Sequence, residues 1–459
     1  MRHPVVAIVG GGFSGAATAI HLLALAPRAL EIVVVEPAAA LGRGLAYSTA
    51  SDSHRLNVPA GRLGIDPAHE AGFIEWLKRR DDRANAADFV PRRLLGEYVG
   101  SELASAVESA ATGCTLAHVR CRAEALGRDG AAFALRLSDG RRLRADHVVL
   151  ATGHLPPAPP GDAACVAWTL AGMTPDPWHA ATQPSTTGDI LIVGSGLTAI
   201  DLALQWFDGG HAGRVHLLSR RGLLPQPHRV NEIRPPTIAP VAFAPGSTLR
   251  ETLTTLRQWI ACHERQGGDW RDAIASLRAI TPALWQGLDL RDRRRFLRHL
   301  QSFWDSHRHR FAPELHARVQ ALRVDGRLTL QAGRLARIER LADGMLRATW
   351  RPRGGGPSAG VEVARVINGT GPSADLARAS DPLLASLRDA GTIRGDALGQ
   401  GLLVDDALQV LDAQGHAVDG LFYVGPMLKA QCWEAVAIPE LRMHARAVAR
   451  GIVERLVPA

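Results

Sequence analysis

The sequence predicts an α/β protein with two Rossmann-like dinucleotide-binding domains, one inserted in the other, and a helical subdomain. Two observations predict it. Gly10-Gly11-Gly12-Phe13-Ser14-Gly15 is a GxGxxG, and Gly194-Ser195-Gly196-Leu197-Thr198-Ala199 is a GxGxxA. Each follows an apolar run and opens a helical pattern, the context that a dinucleotide fingerprint needs. A third observation sets the connectivity. Ala151-Thr152-Gly153 and Asn368-Gly369-Thr370-Gly371 both end a predicted strand in a small-residue turn, so they read as crossings between domains.

The elements follow in order. Val5 to Val9 is a continuous apolar run, as expected of a parallel strand covered on both faces. Helical periodicity runs from Ala16 to Leu25, and Glu31 to Val35 is the second strand, ending at Glu36. Residues 37–110 read as loops and helices. Residues 115–150 read as strands, with Asp139-Gly140 a hairpin turn. A Pro/Gly-rich connector follows, His154 to Gly161. Asp189 to Val193, Leu197 to Phe207 and Arg214 to Leu218 repeat the strand–helix–strand unit.

Residues 247–316 are helical by period, with Thr281-Pro282 a helix start. Trp259, Trp270, Trp285, Phe296 and Trp304 are expected to form this block's core rather than a substrate cage. Strands return between Leu328 and Trp350, then at Val363 to Ile367 and Leu421 to Val424. A final helix is expected from about Pro439 to Leu456. The predicted boundaries are 1–155 and 368–459 for the first domain, 156–185 for a connector, and 186–367 for the inserted domain with its helical block.

Bulk composition excludes several classes. At 459 residues the chain can bury about three domain-sized cores. Hydrophobic content of 46% and charged content of 21% are globular values. The net charge of +8 comes almost wholly from arginine, since Lys78 and Lys429 are the only lysines. The acids are spread throughout, so a mixed solvated surface is expected and no nucleic-acid partner. No stretch approaches the ~18 apolar residues of a membrane span, so no membrane partner is expected and a cytoplasmic location is. Cys114, Cys121, Cys165, Cys262 and Cys432 form no CxxC and no metal-ligand spacing. That points to a reducing compartment and argues against a redox pair of adjacent cysteines.

The first fingerprint has a reader for ribose. Gly10 permits the tight turn, Gly12 lets the backbone approach a pyrophosphate, and Gly15 lets helix and strand pack closely. Glu36 is placed to bind adenosine ribose hydroxyls, and its carboxylate would repel a 2′-phosphate. This nest therefore suits FAD or NAD rather than NADP. At Gly194, Gly196 and Ala199 the acidic reader is missing. Ser219-Arg220-Arg221 stands there instead, a hydroxyl and two guanidiniums suited to a 2′-phosphate, so NADPH is expected. A basic loop with no preference between the two nicotinamides is the other reading. Two such nests in one chain suggest a flavin and the nicotinamide that reduces it.

The remaining clusters are less specific. Arg291 to Arg298 and His307-Arg308-His309-Arg310 read as basic solvated helix ends or as a receptor for a substrate carboxylate or cofactor phosphate. His307 and His309 point to different faces of a helix, so no metal site is expected. No nucleophile motif is present, so cofactors would carry the chemistry.

Together these segments resemble bacterial FAD/NAD(P)-binding oxidoreductases with two dinucleotide domains, and are similar to class B flavin monooxygenases and N-hydroxylases. The resemblance rests on both fingerprints with Phe13, Ser14, Leu197 and Thr198, on Leu41 to Tyr47, and on Leu56 to Ala60. It continues through Ala151-Thr152-Gly153, Ser219 to Leu223, Trp304 to Arg310, Asn368 to Gly371, Gly425-Pro426, Trp433-Glu434 and Pro439 to Arg442. It implies that Gly42, Arg43, Gly44 and Tyr47 pass along a flavin. It implies that Asn57 stands at the reacting ring, or is simply a turn residue before Val58-Pro59. Gly425 and Pro426 would approach the flavin side chain, with proline where many flavoproteins carry an acid. Trp433 would join the cofactor site, and the helix opening near Pro439 could face the flavin. Arg308 would hold an anionic substrate.

The implied reaction is hydride transfer from NADPH to FAD, then oxygenation of a soft nucleophile such as an amine through a C4a-(hydro)peroxyflavin. Two alternatives stay open: an NAD(P)H-dependent flavin dehydrogenase or reductase, and a non-catalytic flavin-binding sensor or scaffold. The expected partner is a small molecule, anionic in one reading. Substrate identity and oligomeric state are not legible.

Overall fold

The computed structural model describes residues 3–160, 168–178, 187–244 and 246–456. Cys165 and parts of the connector lie outside these. The first domain opens with β1 (Val5–Val9), α1 (Phe13–Leu25) and β2 (Glu31–Val35). All five residues of β1 are buried, because this strand is covered on both faces of its sheet. Next come α2 (Gly44–Tyr47), α3 (Gly72–Lys78), α4 (Arg92–Glu108) and β3 (Thr115–Val119). An antiparallel meander follows, β4 (Ala123–Asp129), β5 (Ala132–Leu137) and β6 (Arg142–Ala145), before β7 (His147–Leu150) returns to the main sheet. The turn at Asp139-Gly140 forms as expected, with Gly140 at φ 85°.

The second sheet starts inside the connector, where β8 (Met173–Thr174) forms a strand that periodicity did not reveal. Then follow β9 (Ile190–Val193), α5 (Leu197–Asp208) and β10 (Val215–Ser219). Six helices form the helical stretch: α6 (Leu249–Arg265), α7 (Trp270–Ser276), α8 (Thr281–Gly287), α9 (Leu290–Arg295), α10 (Gln301–Arg308) and α11 (Pro313–Val324). β11 (Leu328–Arg340) pairs parallel with β10 over its first five residues and then antiparallel with β12 (Leu346–Pro352). The change of partner falls at Gly333, where a Cβ would stand 2.4 Å from Trp350 Cδ1. β13 (Ala359–Val363) and β14 (Arg365–Asn368) complete the sheet. The chain then adds α12 (Pro382–Asp389), β15 (Gln409–Leu411), β16 (Ala417–Tyr423) and α13 (Ile438–Leu456).

Two sheets of related design result. The first has the order β15-β16-β7-β1-β2-β3, parallel except at β15, and the second the order β13-β12-β11-β10-β9-β14-β8. Each has its own buried core, one running from β1 to α13 and others around Ile192, Trp206 and Phe311 and around Leu191 and Trp350. No described helix is long and apolar enough to cross a membrane.

The helical stretch departs from expectation. Trp285 is buried, but Trp259, Trp270, Phe296 and Trp304 are only half-buried, and α6 buries no residue. The block is too thin to enclose five aromatics. Its anchor is instead external: Trp285 lies 4.5 Å from the ring of Trp433, and Phe296 lies 5.3 Å from it.

Candidate cofactor and active site

The two nests are built alike. Gly10 sits at φ 103° and donates its N–H to Val35 O at 2.9 Å. A Cβ there would stand 2.3 Å from Ala151 O, so only glycine fits beside the neighbouring strand end. Gly194 sits at φ 133° and donates to Leu218 O at 2.8 Å, and a Cβ would stand 2.2 Å from Gly369 O. Each turn delivers the chain into a helix whose N-cap is a glycine with no side-chain cap, Gly12 for α1 and Gly196 for α5. The first N–H groups of these helices are left for an anion, with the positive end of the helix dipole behind them.

These residues fit dinucleotides. No protein atom lies within 4 Å of a Cβ built on Gly196, so the space before α5 is open. Gly12 faces only Gly44, whose own left-handed conformation, φ 52°, lets the loop before α2 pass close. Gly42 N–H donates to Gly11 O at 2.7 Å and binds that loop to the nest. Thr152 Oγ1 is buried at the mouth of the first nest with no partner, an orphan that a ligand can satisfy. Glu36 accepts from Gly11 N–H at 2.8 Å and Ala38 N–H at 2.9 Å. Those two bonds orient a half-buried carboxylate and leave lone pairs for hydroxyls. Gly11, which the fingerprint treats as variable, is also constrained: a Cβ would meet Leu41 Cδ2 at 2.4 Å.

Phe13 and Ser14 contribute backbone rather than side chains. Phe13 is buried and meets the Tyr47 ring edge-on at 6.5 Å, and Ser14 is nearly buried. Arg43 is exposed. Burial pushes the Tyr47 phenol up to about 12. Gly153, Gly425 and Pro426 lie at the same carboxyl end of the sheet as Gly10, since Val424 N–H donates to Leu150 O at 3.0 Å. Gly425 sits at φ 150°, where a side chain is strained, and a Cβ there would approach Tyr423 Oη to 2.7 Å. Pro426 is buried.

The second nest differs in one expected role. Ser219 Oγ accepts from Gly222 N–H at 3.0 Å and lies 2.8 Å from Ser195 Oγ, so this hydroxyl shapes the loop instead of reaching out. Arg220 is exposed, and the Arg221 guanidinium lies 5.0 Å from the Phe303 ring centroid. Burial pushes the Arg221 guanidinium below its ordinary range, and Arg353 and Arg220 push the same way. Arg353, at the end of β12, was not legible as part of this cluster because it arrives from a distant strand. Thr198 stays half-buried at the mouth of α5.

Both nests open at the carboxyl ends of their strands, and the two ends are tied together. Leu155 and Ser373, on the two crossings, exchange backbone hydrogen bonds of 3.3 and 3.2 Å, and Asn368 Nδ2 donates to Ala158 O at 3.1 Å. The loop after α2 docks on the inserted domain. His228 Nε2 bonds to the Asn57 carbonyl at 3.0 Å, His54 Nε2 lies 3.2 Å from Asp201 O, and Arg92 pairs with Asp201. Asp201 is buried, and burial raises its carboxyl to about 6 against the pull of Arg92. Asn57 is half-buried, and its side-chain amide has no partner among the described residues. Burial pushes His228 down to about 3, with Arg310 adding to it, so the imidazole is neutral.

Two expected roles are replaced. Arg308 is not free for an anionic substrate: it grips Glu434 through Nε at 3.2 Å and Nη2 at 2.6 Å, and Glu434 is 3% exposed. Trp433 is buried between Trp285 and Phe296, with Lys429 Nζ 4.3 Å from its ring centroid, so it joins the helical block to the first domain. The first turn of α13 holds its own acid, Glu440, paired with Arg278. Nearby, Asp305 and His309 keep accessible surface, 38% and 32% of the side chain. Burial nonetheless raises Asp305 to about 6 and lowers His309 to about 3. The described residues contain no group of His, Cys, Asp and Glu that could hold a metal.

Comparisons with known proteins agree with the fold. Residues 7–155 match a family model described as FAD-NAD(P)-binding. An uncharacterized protein of Mycobacterium bovis is 25% identical over 285 residues, 59% of this chain and 52% of that protein. The chain thus spans about half the length of the curated relatives it matches. The fold is similar to that of an ornithine N-hydroxylase of Kutzneria sp. 744 with reduced FAD, NADP+ and L-ornithine. That match has TM-score 0.63 and 17% identity, and covers 100% of both chains. It is also similar to a bacillithiol disulfide reductase of Staphylococcus aureus, with TM-score 0.58, 12% identity and 99% of both chains covered.

Proposed function

We propose that this chain is an FAD-dependent, NADPH-using oxidoreductase that inserts oxygen into a soft nucleophile, an amine nitrogen being the leading case. The carrying observation is the pair of nests that open at sheet ends joined by the Leu155–Ser373 bridge. Bound FAD would supply hydride acceptance and the reaction with dioxygen. The protein supplies position and exclusion of water. The Gly10 and Gly194 turns seat the two pyrophosphates, Glu36 holds a ribose, and Arg220, Arg221 and Arg353 hold a 2′-phosphate. The Asn57 carbonyl is pinned by His228, which leaves the Asn57 amide free to hydrogen-bond a reacting group.

The likeness to the Kutzneria N-hydroxylase supports the oxygenating reading. The likeness to the Staphylococcus reductase supports the second reading, electron transfer without oxygen insertion. The chain has no CxxC, which weighs against a dithiol version of it. The test is NADPH turnover under labelled dioxygen with a panel of amines and amino acids. Label in the product supports oxygenation. Turnover only with an artificial electron acceptor, and no labelled product, supports the reductase. Bound FAD that NADPH does not reduce supports a non-catalytic module.

A further inference from the structure

Two cations near the Asn57 loop, Arg310 buried and Arg62 half-buried, lack a counter-ion of their own among the described residues. Arg310, just beyond α10, is 5% exposed, and its Nε and Nη1 make no hydrogen bond. The acid that faces it, Glu232, is taken by Arg229. Arg62, from the first domain, has a buried Nε with no partner, and its nearest acid, Glu70, is taken by Arg234 and Arg442. Burial lowers both guanidiniums to about 10, with like charges adding to it: Arg278 and Arg234 on Arg62, Arg308 on Arg310. His228, which feels Arg310, Arg308 and Arg62, is held neutral and supplies no negative charge. Buried charges in folded proteins are paired or hold a ligand, because an unpaired one is costly to desolvate.

We propose that Arg310 and Arg62 receive an anionic group of the substrate, so that the substrate is an acid bearing the nucleophile and not a simple amine. This rests on the reading that the cleft takes a small-molecule substrate. Cofactor phosphates have receptors of their own at the starts of α1 and α5 and at Arg220, Arg221 and Arg353. Arg308, the cation the sequence suggested, is closed by Glu434. A guanidinium presents a planar fork of N–H donors, which matches a carboxylate or phosphate. His228 donates its backbone N–H to the carbonyl of Phe311, next to Arg310, at 3.0 Å and bonds the Asn57 carbonyl through Nε2, so an anion held at Arg310 lies near the loop of the residue expected at the reacting ring.

The test is thermal unfolding of the FAD-loaded protein titrated with succinate, inorganic phosphate or neutral succinamide at constant ionic strength. The expected result is a saturable rise in midpoint of a few degrees with succinate or phosphate and none with succinamide. The better of the two anions distinguishes a carboxylate from a phosphate ligand. Arg310→Met should be no less stable than wild type without anion and should lose the response, and Arg62→Met should weaken it. Where Arg310→Met does not fold, Arg310→Lys keeps the charge without the fork and should weaken the response several-fold. Saturating NADPH should leave the response intact. Absence of a response in wild type, its survival in Arg310→Met, or its loss on adding NADPH would each overturn the proposal. Flavin bleaching by NADPH is read on the same sample, so failure of the redox reading is seen separately.

Discussion

The carbonyl of Asn57 accepts a hydrogen bond from His228 Nε2 at 3.0 Å, and this bond crosses from one dinucleotide domain to the other. The His228 ring also lies 4.9 Å from Phe89, a first-domain residue buried in the core of the inserted domain. The loop that carries Asn57 is therefore positioned by both domains. His228→Ala removes that constraint while leaving both nests intact. Flavin reduction by NADPH should slow by about tenfold, as misplaced reacting groups do, with little change in FAD content. Anaerobic stopped-flow kinetics checks this.

Glycine substitutions should separate the two cofactors. Gly10→Ala puts a methyl 2.3 Å from Ala151 O and should give protein without bound flavin. Gly194→Ala, with its methyl 2.2 Å from Gly369 O, should keep flavin and lose NADPH binding. Gly196→Ala meets no protein atom within 4 Å, so it should unfold like wild type yet bind NADPH more weakly. Flavin absorbance, melting curves and NADPH titration measure all three.

The arginine cluster should set coenzyme choice. Loss of a charge-assisted hydrogen bond costs roughly 1.5–3 kcal/mol, or about tenfold to a hundredfold. Arg221→Ala and Arg353→Ala should lower kcat/KM for NADPH by that factor and leave NADH nearly untouched. Equal loss with both coenzymes would remove the 2′-phosphate assignment.

Arg308 should prove structural. Its removal leaves Glu434 buried and unpaired, a cost of about 3–5 kcal/mol. Arg308→Met should therefore melt well below wild type, and Arg308→Met with Glu434→Leu should recover much of the loss. Denaturant titration of both variants decides it.

Acid should destabilise the fold through its buried imidazoles. Burial pushes His21 and His54 to about 4 and His228 to about 3. Each is lower than the ~6.5 of an unfolded histidine, so the unfolded chain binds more protons between these values. Their stabilising contribution is whole above about pH 6.5 and is lost as pH falls toward the folded values. Asp201 and Asp305 oppose them: burial raises each carboxyl to about 6, so their shifts favour the fold at low pH and that gain fades as pH rises through 6. With His309 also lowered to about 3, the imidazoles prevail, and the midpoint should drop from pH 6.5 to 4. His228→Gln should flatten that slope by about one proton.

Much of this was legible where local geometry dictates sequence. Gly10 and Gly194 must be glycine because a neighbouring carbonyl fills the Cβ position, and that demand leaves a fingerprint in the chain. Long-range partnerships leave none. Arg308 and Glu434 are 126 residues apart, and neither carries a sign that they will meet. The aromatics of the helical stretch read as a core because they share a segment, but Trp285 was completed by Trp433 from the other domain. Arg353 was hidden for the same reason, and Arg310 was legible only as one member of a basic cluster: their neighbours are set by folding, not by spacing.

The most direct measurement is the visible spectrum of the purified protein before and after anaerobic NADPH. Flavin bands should be present at the start, and they should bleach on addition of one equivalent of NADPH. A colourless protein that takes up no FAD, or flavin bands that survive excess NADPH, would contradict the claim that the two nests hold their cofactors within reach of one another.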